Sequence, residues 1–326
     1  MRDGKQGGLY VVGDVCVDVL IPVSGLLAAN EAQLRRSLDF RINAGGTCGN
    51  TVAALARLGL HPVFLGSVGA DFGGRFIRQE LSAMGVDMDS AIVEPERNTI
   101  NVFAFINEDG ERNLWAFPTV DPAYTQLDLS RVDLAKVCGG CWLHSSGMNY
   151  ALDGQMREAL PRLFKAAYER GVPTSFDLNT RMGRPEDLDP GVRAAVLETL
   201  PYVRYLLGSA KDEFYSFCPR PDWRDSARSF VTDARTVIAR TGKDGAFVVS
   251  REGEFELRPY SVTVKDTVGA GDAFNAGFIC AMVLGKSLRE AVDCGNAVAS
   301  YKVSGSGRHT PTASELEAFM RTHDRA

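Results

Sequence analysis

The stretch with the most chemistry in it is Asp266-Thr267-Val268-Gly269-Ala270-Gly271-Asp272-Ala273-Phe274. Small residues at 269–271 let a backbone come close to a ligand. The spacing of Ala273, Phe274, Gly277, Phe278, Ala281 and Leu284 predicts a helix over 270–284, preceded by a strand-like Ser261–Val264. The turn then sits at a helix N-terminus, where unpaired N–H groups and the macrodipole favour an anion. Asp272 stands at the same place, and a carboxylate there can take a proton from an attacking hydroxyl. Anion site and base so close together are what in-line phosphoryl transfer requires, since its work is positioning and charge stabilisation. A plain helix cap competes with this reading, because Asp in a first turn is favoured for dipole reasons alone.

Four further stretches put polar groups where a ligand could reach. Leu9–Pro22 reads as one valine-rich strand, and alternation sets Asp14, Cys16 and Asp18 on one face. Two acids on one face of a buried strand are costly unless paired or turned to a ligand. Gly45-Gly46-Thr47-Cys48-Gly49-Asn50 opens a helix predicted over 47–58 and stopped by Gly59. Two glycines expose backbone donors to a polyol, and Asn50 offers both a donor and an acceptor; the competing reading is a helix start with Thr47 as N-cap. Phe176-Asp177-Leu178-Asn179-Thr180-Arg181 closes a strand, with Arg181 a candidate cation for a phosphate or simply part of a solvated loop. Arg240-Thr241-Gly242-Lys243-Asp244-Gly245 is a tight turn between strands, which needs glycines with or without a ligand.

These stretches need elements to hold them. Strand-like runs fall at His61–Val68 and near 141–146, 172–177, 203–208, 236–240 and 245–249, with helix-like runs at 71–84, 153–170, 270–284 and 287–303. Strands alternating with amphipathic helices predict a mostly parallel sheet covered on both faces. Ile100–Asn107 and Glu111–Phe117 flank Asp109-Gly110, a hairpin signal with no helix after it. With a further strand at Leu38–Asn43, the hairpin is expected to form a small flap over the sheet's carboxyl edge, where ligands of open α/β folds bind. The flap's strands are expected within about 17–43 and 97–118, in a single domain over 1–326.

Composition narrows the function class. Of 326 residues 45% are hydrophobic and 24% charged, an ordinary globular balance, and the net charge of −5 argues against a nucleic-acid partner. No stretch approaches the apolar length of a membrane span, the start lacks a signal peptide's apolar core, and seven cysteines are an odd number in a long chain. A reduced cytoplasm is the expected compartment. Cys138-Gly139-Gly140-Cys141 near His144 lacks the second pair a structural zinc needs and reads as buried thiols. The chain has no P-loop string, and its first strand lacks G-x-G-x-x-G, which counts against a nicotinamide dehydrogenase.

The string from Asp266 to Phe274 resembles the D-T-x-G-A-G-D-x-F signature of the ribokinase-like (PfkB) carbohydrate kinases at every fixed position. The G-G-x-x-x-N segment from Gly45 to Asn50, the F-D-x-N-x-R segment from Phe176 and the T-G-x-x-G turn from Thr241 resemble further family patterns. The resemblance implies a three-layer α/β/α fold with a mostly parallel sheet and a small β lid, and often a homodimer through that lid. It implies ATP and Mg²⁺, with Asp272 as catalytic base and the amides of Gly269, Ala270 and Gly271 as the anion hole. On the acceptor side it implies Asp18, Gly45, Gly46 and Asn50, with Asp14 beside them and Asn179 and Arg181 near phosphates and acceptor. It implies Thr241, Gly242 and Gly245 at the nucleotide and Asn296 at the adenine, although a core helical Asn bonded to backbone reads equally well. It implies Glu213, with Asp212 as the alternative, as the acid that organises Mg²⁺ through water, and the family's Asn before it is absent here. K⁺ is implied near Asp266 and Thr267.

Cys16 stands where many members carry Asn, and Arg35, Arg36, Arg41, Arg97 and Arg112 surround the expected lid. The acceptor is therefore open among a sugar, a sugar acid and a phosphorylated sugar. A nucleoside kinase of the same family, its acceptor stacked on Phe103, Phe105, Trp115 or Phe117, and a regulator that has lost catalysis are the alternatives; an intact Asp272 argues against the second.

Overall fold

The computed structural model describes residues 7–22, 40–106, 112–180 and 188–326. Among them, eight strands form a central sheet in the order β14-β13-β12-β11-β10-β9-β1-β4. These are β1 (Leu9–Val12), β4 (Pro62–Leu65), β9 (Trp142–Ser146), β10 (Thr174–Asp177), β11 (Tyr205–Ser209), β12 (Thr236–Arg240), β13 (Ala246–Ser250) and β14 (Gly253–Leu257). Pairing is parallel from β4 to β12, and β13 and β14 add antiparallel at one edge. Successive residues of a strand face opposite ways. Val11, Leu207 and Ile238 accordingly pack in one apolar core, with the helices Thr47–Arg57, Ala270–Val283 and Leu288–Val303. Val12, Leu206 and Val237 pack in the other, with the helices Met156–Glu169 and Pro190–Thr199. Helices thus cover both faces, and the parallel strands deliver their carboxyl ends to one edge.

A second sheet has the order β3-β2-β7-β8, from β2 (Cys16–Pro22), β3 (Arg41–Gly45), β7 (Asn101–Ile106) and β8 (Arg112–Phe117). The Asp109-Gly110 turn lies outside the described residues, but β7 and β8 pair antiparallel with Ile106 opposite Arg112. Leu38 also lies outside them, and the strand expected there runs from Arg41 instead.

The valine-rich start is not one strand. It splits at Gly13-Asp14-Val15 into β1 and β2, which belong to different sheets. Gly13 has φ of 142°, and a Cβ there would collide with the Asn149 amide. His61–Val68 splits likewise, into β4 and a short β5 (Ser67–Gly69) paired with β6 (Ile92–Glu94). Ser261–Val264 is not a strand in the structure. β14 occupies the edge beside β13, so these residues run on as an irregular segment with Val264 exposed.

Candidate active site

The helix Ala270–Val283 begins at Gly269, whose φ of 77° lies in the left-handed region open to glycine. The Ala273 N–H donates to the Gly269 carbonyl at 2.9 Å and starts the helical ladder. The Ala270 N–H, expected to face an anion, instead closes the turn onto the Thr267 carbonyl at 3.1 Å. Gly271 and Asp272 stand in the first turn of this helix, where backbone N–H groups point toward the helix's N-terminal end. Gly271 also has little room for a side chain, because a Cβ would stand 3.3 Å from the Arg240 guanidinium.

Asp272 is buried in this first turn and accepts a hydrogen bond from Asn50 Nδ2 at 2.9 Å. Asn50 is carried by the helix Thr47–Arg57, so two distant glycine motifs meet in that one contact. Asp18, on β2, lies against Gly45, where a Cβ would strike its carboxylate, and Cys16 Sγ donates to Asp18 Oδ1 at 3.1 Å. Cys16, where many members carry Asn, thus points to the Asp18 carboxylate.

Asp14 does not share that face. It lies in the break between β1 and β2, and its carboxylate accepts from the N–H groups of Thr47 at 2.7 Å and Cys48 at 3.2 Å. It thereby caps the helix Thr47–Arg57 in place of the Thr47 side chain; Gly46 is the N-cap, with φ of 88°. Asp14 is thus a structural cap, which corrects its expected place at the acceptor.

Two cavities flank the turn 266–274. One is lined by Asp18, Asn43, Asn50, Gly269, Lys302 and Arg308. The other, of about 540 Å³, is lined by Gly242, Gly245, Ala270, Gly271, Phe274 and Asn296 among others. Gly242 and Gly245 have φ of 63° and 95°. Thr241 is displaced from them and lines a neighbouring groove with Lys211 and Asp244. Asn296 lines the cavity and also bonds backbone, donating to the Leu257 and Arg258 carbonyls at 3.2 and 3.4 Å. Asn179, with φ of 22°, turns its Nδ2 to Thr47 Oγ1 at 3.2 Å, and Arg181 lies outside the described residues.

Between the strand ends sits a buried charge network that sequence reading did not assemble. Arg240 donates to both carboxylate oxygens of Asp177 at 2.7 and 2.8 Å, to Asn275 Oδ1 at 2.8 Å and to the Gly271 carbonyl at 3.3 Å. Asn275 Nδ2 donates in turn to Asp177 Oδ2 at 2.6 Å. Glu213 lies 3.9 Å from Arg240 and accepts the Ser209 N–H at 2.6 Å. Burial opposes the charge on Asp177, but Arg240 outweighs it and holds that carboxyl below the usual range. Burial, then the Asp177 charge, push the Glu213 carboxyl up to about 7.

No group of three or more His, Cys, Asp or Glu side chains among the described residues could cage a metal ion. Glu213 therefore fits Mg²⁺ only through water, with the ion carried by a nucleotide's phosphates. K⁺ does not fit at Asp266. The carbonyl and Oδ2 of Asp266 lie 3.0 and 3.3 Å from the Lys302 ammonium, and its carboxylate also accepts from the N–H groups of Val268 and Gly307.

Glu213 and a second buried group give opposite pH dependences. Burial lowers the His144 imidazole to about 4. Glu213 titrates above its unfolded value, so its contribution to stability is present at low pH and lost as pH rises through about 4.5 to 7. His144 titrates below its unfolded value, so its contribution is present above about 6.5 and lost as pH falls toward 4. Between about pH 8 and pH 5, Glu213→Gln should make the parent's acid-side loss of stability steeper, and His144→Asn should make it shallower, each by on the order of 1–3 kcal/mol. Urea unfolding at both pH values checks this, and shifts of the same sign in both variants would contradict it.

The sequence profile of the pfkB family carbohydrate kinases matches residues 7–315. The chain belongs to that family. This pfkB kinase is 29% identical over 310 residues to the ATP-dependent ribose-1-phosphate kinase of Halopiger xanaduensis, covering 94% of this chain and 96% of the relative. It is 28% identical over 333 residues to the aminoimidazole riboside kinase of Salmonella typhimurium, covering 98% and 96%. Its fold matches that of an E. coli protein solved with ATP and Mg²⁺, at a TM-score of 0.81 and 24% identity, over 97% of this chain and 100% of that one. It likewise matches a Xylella fastidiosa fructokinase with bound ATP, at 0.80 and 20%, over 96% and 98%. These structural likenesses establish the ribokinase-like fold.

Proposed function

We propose that this ATP-dependent carbohydrate kinase transfers the γ-phosphoryl group to a hydroxyl of a sugar-like acceptor across the turn 266–274. The observation that carries the assignment is the pair of cavities flanking that turn, with the part-buried Asp272–Asn50 contact beside it. ATP occupies the cavity lined by Gly242, Gly245 and Asn296. The acceptor lies against Asp18, Gly45, Gly46 and Asn50, beneath the second sheet acting as a lid. Asp272 takes the hydroxyl proton as the oxygen attacks phosphorus in line, and the Gly271 and Asp272 amides steady the transferring charge. Mg²⁺, when bound with ATP, neutralises phosphate charge, and Glu213 orders water on that side.

Within this class an acceptor with an acidic group is favoured. Arg308 pairs with Glu80 at 2.8 Å through one nitrogen, while its buried Nη2 has no hydrogen-bond partner among the described residues. Arg308 lines the acceptor cavity. By contrast, Arg97 of the expected lid cluster is spent on Asp121 at 2.9 Å. ADP release from MgATP across sugars, sugar acids, sugar phosphates and nucleosides tests the proposal. Turnover is expected on a sugar acid or sugar phosphate, and turnover on nucleosides alone would overturn the acceptor assignment.

The proposal includes a cytoplasmic homodimer through the second sheet. β8 is an edge strand, and Leu114, Trp115 and Phe117 are 58, 71 and 66% exposed. An exposed apolar edge of this kind invites pairing with a second copy. Light scattering should give a dimer mass for the parent and a monomer for Trp115→Glu; a monomeric parent would contradict the assignment.

A further inference from the structure

We infer that the Lys302 ammonium is a built-in monovalent cation beside the phosphate-facing turn, so that this chain needs no added K⁺ or Na⁺. The inference rests on the proposed site and adds a positioning residue to it. On the helix Leu288–Val303, the positions 291, 295, 298 and 302 fall on one helical stripe, and Ala291, Gly295 and Val298 are buried. Lys302 continues the stripe inward and is 4% exposed. Its Nζ lies 3.0 Å from the Asp266 carbonyl and 3.3 Å from Asp266 Oδ2. Its Cε lies 3.9 Å from where a Cβ on Gly269 would stand, a point also 3.8 Å from Asn50 Nδ2 and Asp272 Oδ2, so the side chain passes the turn on the side of the acceptor cavity that it helps to line.

The electrostatics explain why a cation is wanted there. Asp266 is a buried carboxylate at the base of a turn that is proposed to face a polyanion. Uncompensated, that carboxylate would be costly to bury and would repel the transferring phosphoryl group. A mobile cation could offset the charge if it found oxygens to bind. Here the Asp266 carbonyl and carboxylate already face an ammonium, which is tethered and needs no recruitment from solution. A second cation on the same oxygens would be repelled by the first. Asp266 also receives the Val268 and Gly307 N–H groups, which fixes its carboxylate from both sides.

The test compares parent and Lys302→Met in K⁺, Na⁺, NH₄⁺ and choline buffers of equal ionic strength, reading both turnover and the thermal midpoint without substrates. In the parent both readouts should be the same in all four, within about twofold for the rate. In Lys302→Met the rate in choline should fall about tenfold or more, and K⁺ or NH₄⁺ should restore part of the rate and raise the midpoint. A parent stimulated severalfold by K⁺ over choline overturns the inference. So does a folded Lys302→Met that works equally well in choline. If the variant does not fold, the parent's response to K⁺ decides alone. If the parent turns over no acceptor, the proposed function fails, and the substrate-free midpoints still decide the role of Lys302.

Discussion

Asp272→Asn should lower kcat by about 10²–10⁴-fold while leaving the fold and the binding of both substrates nearly unchanged. The variant is chosen for what it keeps. The replacement amide oxygen can still accept the hydrogen bond that Asn50 Nδ2 gives to Asp272 Oδ2 at 2.9 Å, so the two helix starts stay joined. The first-turn amides are backbone and do not change. What goes is the basic oxygen that receives the proton. A loss in kcat with steady KM values separates a base from a group that only binds. Steady-state kinetics on the acceptor found in the panel checks it, and a variant retaining most of its kcat would remove Asp272 from that role.

Arg240→Met should destabilise the fold by about 3–5 kcal/mol, the scale for breaking a buried ion pair by deleting one partner. The Asp177 side chain is fully buried, and Arg240 is its bidentate partner, held further by Asn275. Removing the guanidinium leaves that carboxylate charged in a poor dielectric, beside Glu213. The contact to the Gly271 carbonyl is lost as well, so kcat should fall along with stability. Adding Asp177→Asn should recover part of the loss, because the pair no longer has a charge to compensate. Denaturant midpoints of the two single variants and the double variant check this; simple additivity would contradict a coupled pair.

The parts of the site that lie close together in sequence were legible from it. The string from Asp266 to Phe274 announces a helix start with a carboxylate in its first turn, and the structure has that start at Gly269. Gly45, Gly46 and Asn50 were legible for the same reason, since glycine before a helical pattern is a local signal. What stayed hidden depends on distant partners. The Leu9–Pro22 run has the composition of one long strand, and its break is fixed by Asp14 capping a helix whose first residue is Thr47. Ser261–Val264 has strand composition but no neighbour to pair with. β14 escaped notice although Glu254, Phe255, Glu256 and Leu257 alternate as an edge strand should. Arg240 was read only as part of a turn, because its partners come from β10 and the helix Ala270–Val283. Lys302 did leave a signal, as a charged residue on an otherwise apolar helical stripe.

The central claim is that donor and acceptor meet at Asp272 from two separate cavities. A structure with a non-hydrolysable ATP analogue and the acceptor together tests it most directly. The account predicts the analogue in the cavity of Gly242, Gly245 and Asn296. It predicts the acceptor against Asp18 and Asn50, with one hydroxyl about 3 Å from the Asp272 carboxylate and in line with the terminal phosphate. An acceptor bound elsewhere, or one whose nearest hydroxyl turns away from Asp272, would contradict it.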